Sequence, residues 1–455
     1  MSKLQNIDPD WAWKAYRPSR QQPWNRARAA HFYRRAGFAA TSMQLDEAAK
    51  KDPSQLVEEF IRAGRETASF IDEVEEMTQF ILNTGEARNL SAAWMYRLLG
   101  TPDQLTEKLA IFWHGHFATS AAKVTDPKLM HNQNLLLRKY ATGDFSKLVQ
   151  AISRDPAMLL YLDSATNRKS HPNENYAREL MELFCMGEGN YTEKDVQELA
   201  RCFTGWEVVQ GRFKFRRFQH DSGTKKLLGN EGKLTGQQAV NVILKHKATP
   251  QFIVRKLIRY FMFDEPAASD SLVEPLARYF RKKDLQVAPL IAKMLNSQLF
   301  HSDITIGQKI RSPVELAVGV LRALHGTTDA YELAKGVTEL GQGLYYPPNV
   351  KGWDGGRTWI NSSTLLGRAN LMKSVLRNSK TRFQGGKIAT LADKYKLSNS
   401  KQMVSWLLQQ VCAVPVAASA QKRLVDVADS SGKDASTRML AVVQTICTLP
   451  EIHLT

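Results

Sequence analysis

Apolar residues return every three or four positions along most of the chain, as at Leu105, Leu109 and Phe112 or at Val314, Val318 and Leu321. That spacing gathers them on one face of an α-helix. The starts of such stretches carry a repeated signal. Asp52-Pro53, Thr101-Pro102, Asp126-Pro127, Asp155-Pro156, Thr249-Pro250 and Ser312-Pro313 each set a short polar side chain before proline. The side-chain oxygen can accept an otherwise free N–H of the first turn, and proline there gives up a donor that had no partner. Gln104 follows Thr101 and Glu315 follows Ser312 by three positions, the spacing of a capping box. These patterns predict an all-α fold, mainly helical, multi-helix and globular.

Residues 207–236 depart from it, with alternation in RFKFRRF and several glycines. They read as a small β-hairpin or long loop inserted between two helices. A second interruption, YYPPNVKGWDGGRTWINSS at 345–363, reads as a loop entering a helix, and residues 378–386 as a surface linker. The expected division is an N-terminal extension over 1–30, a main helical body over 31–375 and a C-terminal helical appendage over 376–455.

Composition narrows the class. The 455 residues carry 62 Lys and Arg against 45 Asp and Glu, a formal net charge of +17. No apolar run nears the roughly 20 residues that cross a bilayer. The N-terminal stretch has positive charge but no continuous apolar core and no small-residue cleavage site, so it does not read as a secretory signal. A cytoplasmic protein is expected. Cys185, Cys202, Cys412 and Cys447 are too scattered for a disulfide framework or a zinc pair, and read as buried free thiols. The densest basic patch is RFKFRR at 212–217. Its interleaved rings could follow an anionic polymer. The plainer alternative is a strand with a buried aromatic face and a solvated basic one. Nothing resembles a nucleic-acid module, so nucleic acid is not expected; the charge excess points to an acidic partner.

Candidate chemistry concentrates in HPNENYARELMELFCMGEGNYTEKDVQELARCFTGW, residues 171–206. Tyr176, Leu180, Leu183 and Phe184 form a core stripe, while Glu174, Arg178 and Glu182 share another face, with Asn175 and Glu179 beside them. Gly187 and Gly189 end this helix, and Thr192 caps the next with Asp195 at the third position. Glu174, Glu179 and Glu182 could project into a polar cleft and hold a divalent metal or act as an acid–base pair, with Asn175, Arg178 and Asp195 as ligand-binding groups. Equally, Glu–Arg pairs four residues apart could lace a solvated face.

His114 and His116, in IFWHGHFATS, sit two positions apart and point to opposite sides of a regular helix, so they cannot chelate one ion together unless the helix ends at Gly115. His116 continues the apolar stripe and should point inward. His114 is the freer of the two and could meet the carboxylates. The glycines of 345–363 could offer N–H groups to an anion, but the segment matches no phosphate-binding pattern and reads as a loop pinned by Trp353 and Trp359. No nucleophile elbow or cysteine–histidine pair is present.

FWHGHFATS, DPAMLLYLD, PNENYARELMELF, GEGNYTEKDVQELARCFTGW, PPNVKGWDGG and WINSSTLL together resemble the signature blocks of the bacterial DUF 1800 family, and HFYRRAGF its opening block. The likeness runs from about His31 to about Lys373. It implies a helical protein and no particular reaction. Its polar motif positions fall on Trp113, His114, His116, Asn173, Glu174, Asn175, Arg178, Glu179, Glu182, Asn190, Thr192, Asp195, Gly205 and Trp206, which favours a real site here. The resemblance also implies a candidate partner, the product of a neighbouring gene of the sulfatase-like DUF 1501 family. Cys185 stands where similar members carry Thr.

Overall fold

A computed structural model describes residues 7–62, 64 and 66–455. The first six positions of the expected extension therefore lie outside the described residues. The chain is mainly α-helical, with 24 α-helices and three two-stranded antiparallel sheets among the described residues. No described helix is long and apolar enough to cross a membrane.

Four of the six proline-preceded starts behave as read. Asp52, Asp126, Asp155 and Ser312 each accept an N–H from the first turn of the helix they open, and Ser312 forms the full capping box with Glu315. Two do not. The helix after Thr101 begins later, at Gln104: the Thr101 hydroxyl donates to Glu66 Oε1 at 2.7 Å and accepts from Asp103 N at 3.0 Å, and Gln104 Oε1, which a capping box would need, accepts from Phe38 N at 2.9 Å. Thr249 lies inside the helix Ala248–Phe261 and donates to the carbonyl of Ile243 at 2.7 Å instead of capping.

The insertion at 207–236 forms two hairpins, Trp206–Val209 with Arg212–Phe215 and Lys225–Leu227 with Asn230–Gly232. In the first, Phe213 packs edge-on against Trp206, but Phe215 remains 45% exposed. The basic strand thus shows one of its rings to solvent. Residues 378–386 are more than a linker: Arg382–Phe383 pairs with Gly326–Thr327, and Phe383 is buried. All four cysteines are free and buried, as composition predicts.

Apolar side chains gather in two clusters. One takes Phe32, Trp113, Phe184, Leu199 and Ile258; the other takes Trp94, Leu321, Met372, Leu407 and Val443. The helix Gln104–His116 feeds both, sending Leu105, Leu109, Phe112 and Trp113 into the first and Ala110 and Ile111 into the second. Every face of this helix is therefore committed to packing, except where its C-terminal end meets a cavity.

Candidate functional site

That cavity, about 220 Å³, lies where the two clusters meet. Phe112 and His116 come from the 104–116 helix. Lys256, Arg259 and Tyr260 come from one face of the 248–261 helix, since positions three and four apart are neighbours on a helix surface. Lys309 and Glu315 bracket the start of the helix Pro313–Ala323, and the segment from Lys351 to Trp359 closes the remaining side.

The electrostatics are lopsided. Lys309, buried, donates to Asp264 Oδ1 at 2.6 Å and to the carbonyl of Arg259 at 3.0 Å. Asp264 Oδ2 accepts from Ile310 N at 2.8 Å. Glu315 is paired with the buried Lys108. Burial alone would raise the Glu315 carboxyl, but Lys108 and Lys309 hold it down at about 2. Behind it, within electrostatic reach, stand the guanidinium groups of Arg35, Arg311 and Arg368, all buried. These lean on carbonyls: Arg35 on Thr305 at 2.8 Å, Arg311 on Val411 at 2.7 Å, Arg368 on Arg311 at 2.8 Å. Positive charge exceeds negative throughout, and buried charge without an opposite partner is costly. Several donors have no acceptor at all, namely Nε of Arg35, Nε and Nη1 of Arg368, and the indole N–H of Trp353 on the cavity wall.

His116 and Lys256 form one unit. His116 Nε2 lies 2.9 Å from the carbonyl of Phe184, so it carries the proton, and Nδ1 turns its lone pair to Lys256 Nζ at 3.1 Å. Lys256 also donates to the carbonyl of Leu183 at 3.0 Å. Both carbonyls belong to Leu180–Cys185, where the expected α-helix widens into π-helix after Asn175–Glu179. The i→i+5 pattern at a helix end leaves carbonyls free, and these two side chains satisfy them. Burial, with Lys256 beside it, pushes His116 far below the ordinary imidazole range; burial brings the Lys256 amine down to about 8. The first is fixed neutral and the second titrates near neutrality.

The other expected site residues lie elsewhere. Glu174 and Glu193 flank Arg178 at 3.2 and 2.7 Å in a partly exposed ion-pair group. Glu179 is half-buried, its carboxyl raised by burial and by Glu182 beside it. Glu182 accepts from the hydroxyl of Tyr191 at 3.1 Å. Asn175 is exposed. Asp195 uses both oxygens structurally, on Thr192 N at 2.9 Å and Leu228 N at 2.7 Å. His114, expected to be the freer imidazole, is 2% exposed: wedged against Trp94 and Trp353, it accepts from Tyr345 N at 2.9 Å. Burial takes it down to about 3. Among the described residues, no three His, Cys, Asp or Glu side chains come together as a group that could hold a metal ion. Of the eight expected residues, His116 is the one that lines the cavity.

The family model described as a protein of unknown function, DUF1800, matches residues 31–454. The chain belongs to the DUF1800 family. Neither a curated protein nor a solved structure matches it. Three signature blocks of this DUF1800 chain meet around the cavity: the HGH turn supplies His116, the ELMELF helix supplies the carbonyls that hold His116 and Lys256, and the KGWDGG loop supplies the cover. Lys256, Arg259, Asp264 and Lys309 lie between the blocks. Sequence reasoning missed them; the spacing of Lys256, Arg259 and Tyr260 was the available signal.

Proposed function

We propose that the protein binds a small anion, a carboxylate or a phosphate, in the cavity between its two core clusters. The observation that carries this reading is the surplus of cationic and unpaired donor groups around a partly open cavity. Lys256, Arg259, Lys309 and Lys351 line it against Asp264, Glu315 and Asp354; Asp264 and Glu315 are already engaged by Lys309 and Lys108, and Trp353 lies on the wall with its indole N–H unpartnered. A ligand rich in acceptors would offset that charge and satisfy those donors. The apolar walls, Phe112 and Val314 among them, suit a compact organic body. Lys256, with an amine that changes charge near neutral pH, supplies the acid–base group that a hydrolytic or proton-transfer reaction needs.

The test is a thermal-shift and calorimetric series with oxalate, acetate, citrate and inorganic phosphate against equal ionic strength of sodium chloride. At least one anion should raise the melting temperature and quench Trp353 fluorescence, with both effects weakened in Trp353→Phe and Lys309→Met. No anion acting beyond chloride would remove the reading.

A second reading has its own observation. Phe215 and Phe218, 45% and 66% exposed, lie among the exposed Arg212, Lys214 and Arg217, while Arg216 is paired with Glu207. This surface suits an acidic partner, the product of a neighbouring sulfatase-like gene being the candidate. Binding should then fall steeply between low and physiological salt, and vanish in a Lys214→Glu/Arg217→Glu variant.

A further inference from the structure

Lys256 has a plain structural role, which is to satisfy the Leu183 carbonyl at the end of the π-helical turn. A donor alone would suffice for that. The arrangement around Lys256 goes further in three respects. Among the described residues its amine forms no ion pair with a carboxylate; its other contact is the lone pair of a neutral imidazole, His116 Nδ1. It stands at the wall of this cavity, against the ring of Phe252 at 4.7 Å. And one turn along the same helix face is Arg259, an exposed cation that lines the cavity and donates to the carbonyl of Asp354 at 2.7 Å.

We propose that Lys256 is a nucleophile, condensing through its amine with the carbonyl of a small oxo acid whose carboxylate the neighbouring cations hold. The proposal rests on the anion-binding reading and names the substrate class for that same cavity. In the step, the Lys256 nitrogen bonds to the carbonyl carbon and the carbon–oxygen double bond is lost. Two of the three ammonium hydrogens leave with the oxygen as water, and the third stays on the iminium nitrogen. Charge is conserved, and no oxidant or reductant enters. The iminium N–H keeps one of the acceptors that the ammonium had, Leu183 O or His116 Nδ1. The Leu183 and Phe184 carbonyls hold amine and imidazole in register. Burial favours the free amine, the form that attacks, because a desolvated ammonium is costly.

The experiment treats the full chain with glyoxylate and sodium cyanoborohydride, which reduces an iminium to a stable secondary amine, and maps modified peptides by mass spectrometry. Lys256 should be labelled at least about tenfold faster than the average exposed lysine, since its free-amine fraction at neutral pH is roughly a hundredfold larger. Oxalate, an anion without a reactive carbonyl, should protect it. Lys256→Arg keeps a donor for Leu183; it should melt within a few degrees of the parent and lose the fast label. Oxalate binding without preferential labelling of Lys256 overturns the nucleophile and leaves the anion site standing. Loss of both removes the anion site as well. Should Lys256→Arg fail to fold, competition by oxalate in the unaltered protein still separates these outcomes.

Discussion

Gly352 lies so close to Gly115 that a β-carbon on it would stand 2.0 Å from the Gly115 carbonyl oxygen. Its φ of 78° is also one that side-chain-bearing residues rarely adopt. Two signature blocks 237 positions apart thus meet backbone to backbone, and the loop covering the cavity is seated on the end of the 104–116 helix. Gly352→Ala should lower stability by about 1–3 kcal/mol in denaturant unfolding. It should weaken anion binding more than a surface glycine change such as Gly229→Ala, where no atom lies within 4 Å. Equal effects of the two would count against the contact.

Glu315 is the carboxylate of a buried pair with Lys108, with three arginines in reach behind it. Glu315→Gln leaves Lys108 without its opposite charge, and should cost about 3–5 kcal/mol in urea unfolding. The same variant should gain more stability from added phosphate than the parent does, since the cationic excess grows by one charge.

His114 is neutral when folded, held down at about 3 from an ordinary 6.5 by burial. The unfolded chain binds the proton more readily, so this contribution to stability is complete above 6.5 and is lost as pH falls towards 3. His114→Gln, which keeps an acceptor for Tyr345 N, should flatten the fall in unfolding free energy between pH 6.5 and 4.5 by up to about 1.4 kcal/mol per pH unit. His31, His116 and His301 are also lowered and Asp155 is raised, so the difference between variant and parent is the quantity to measure.

Glu179 is raised by burial and by Glu182, so its charged form is disfavoured in the folded state and costs stability as pH rises past 4.5. Glu179→Gln should be neutral or stabilising by a few tenths of a kcal/mol at pH 7, and Glu174→Gln, in a partly exposed pair, should change stability by less than about 1 kcal/mol. Loss of anion binding in either variant would return the site to this helix.

The helices were legible because their starts are local. An aspartate before proline needs nothing beyond its own first turn, and four such caps form. Thr101 and Thr249 misled because another partner claimed the side chain involved: Phe38 N, far along the chain, took Gln104 Oε1, and the nearby Ile243 carbonyl took the Thr249 hydroxyl. The Glu–Arg face on the signature helix could be read from spacing, but spacing says nothing about whether a face looks into a cavity or into solvent. The cavity itself depends on side chains 140 positions apart, as with Lys256 and His116. No periodicity records such a pairing.

Because the 104–116 helix lends side chains to both apolar clusters, neither cluster can loosen without disturbing the imidazole at that helix's end. A mutation in the distant C-terminal core, at Leu407 or Val443, should therefore reach the cavity through this helix rather than through contact. Distance from the cavity is a poor guide to which substitutions will silence it.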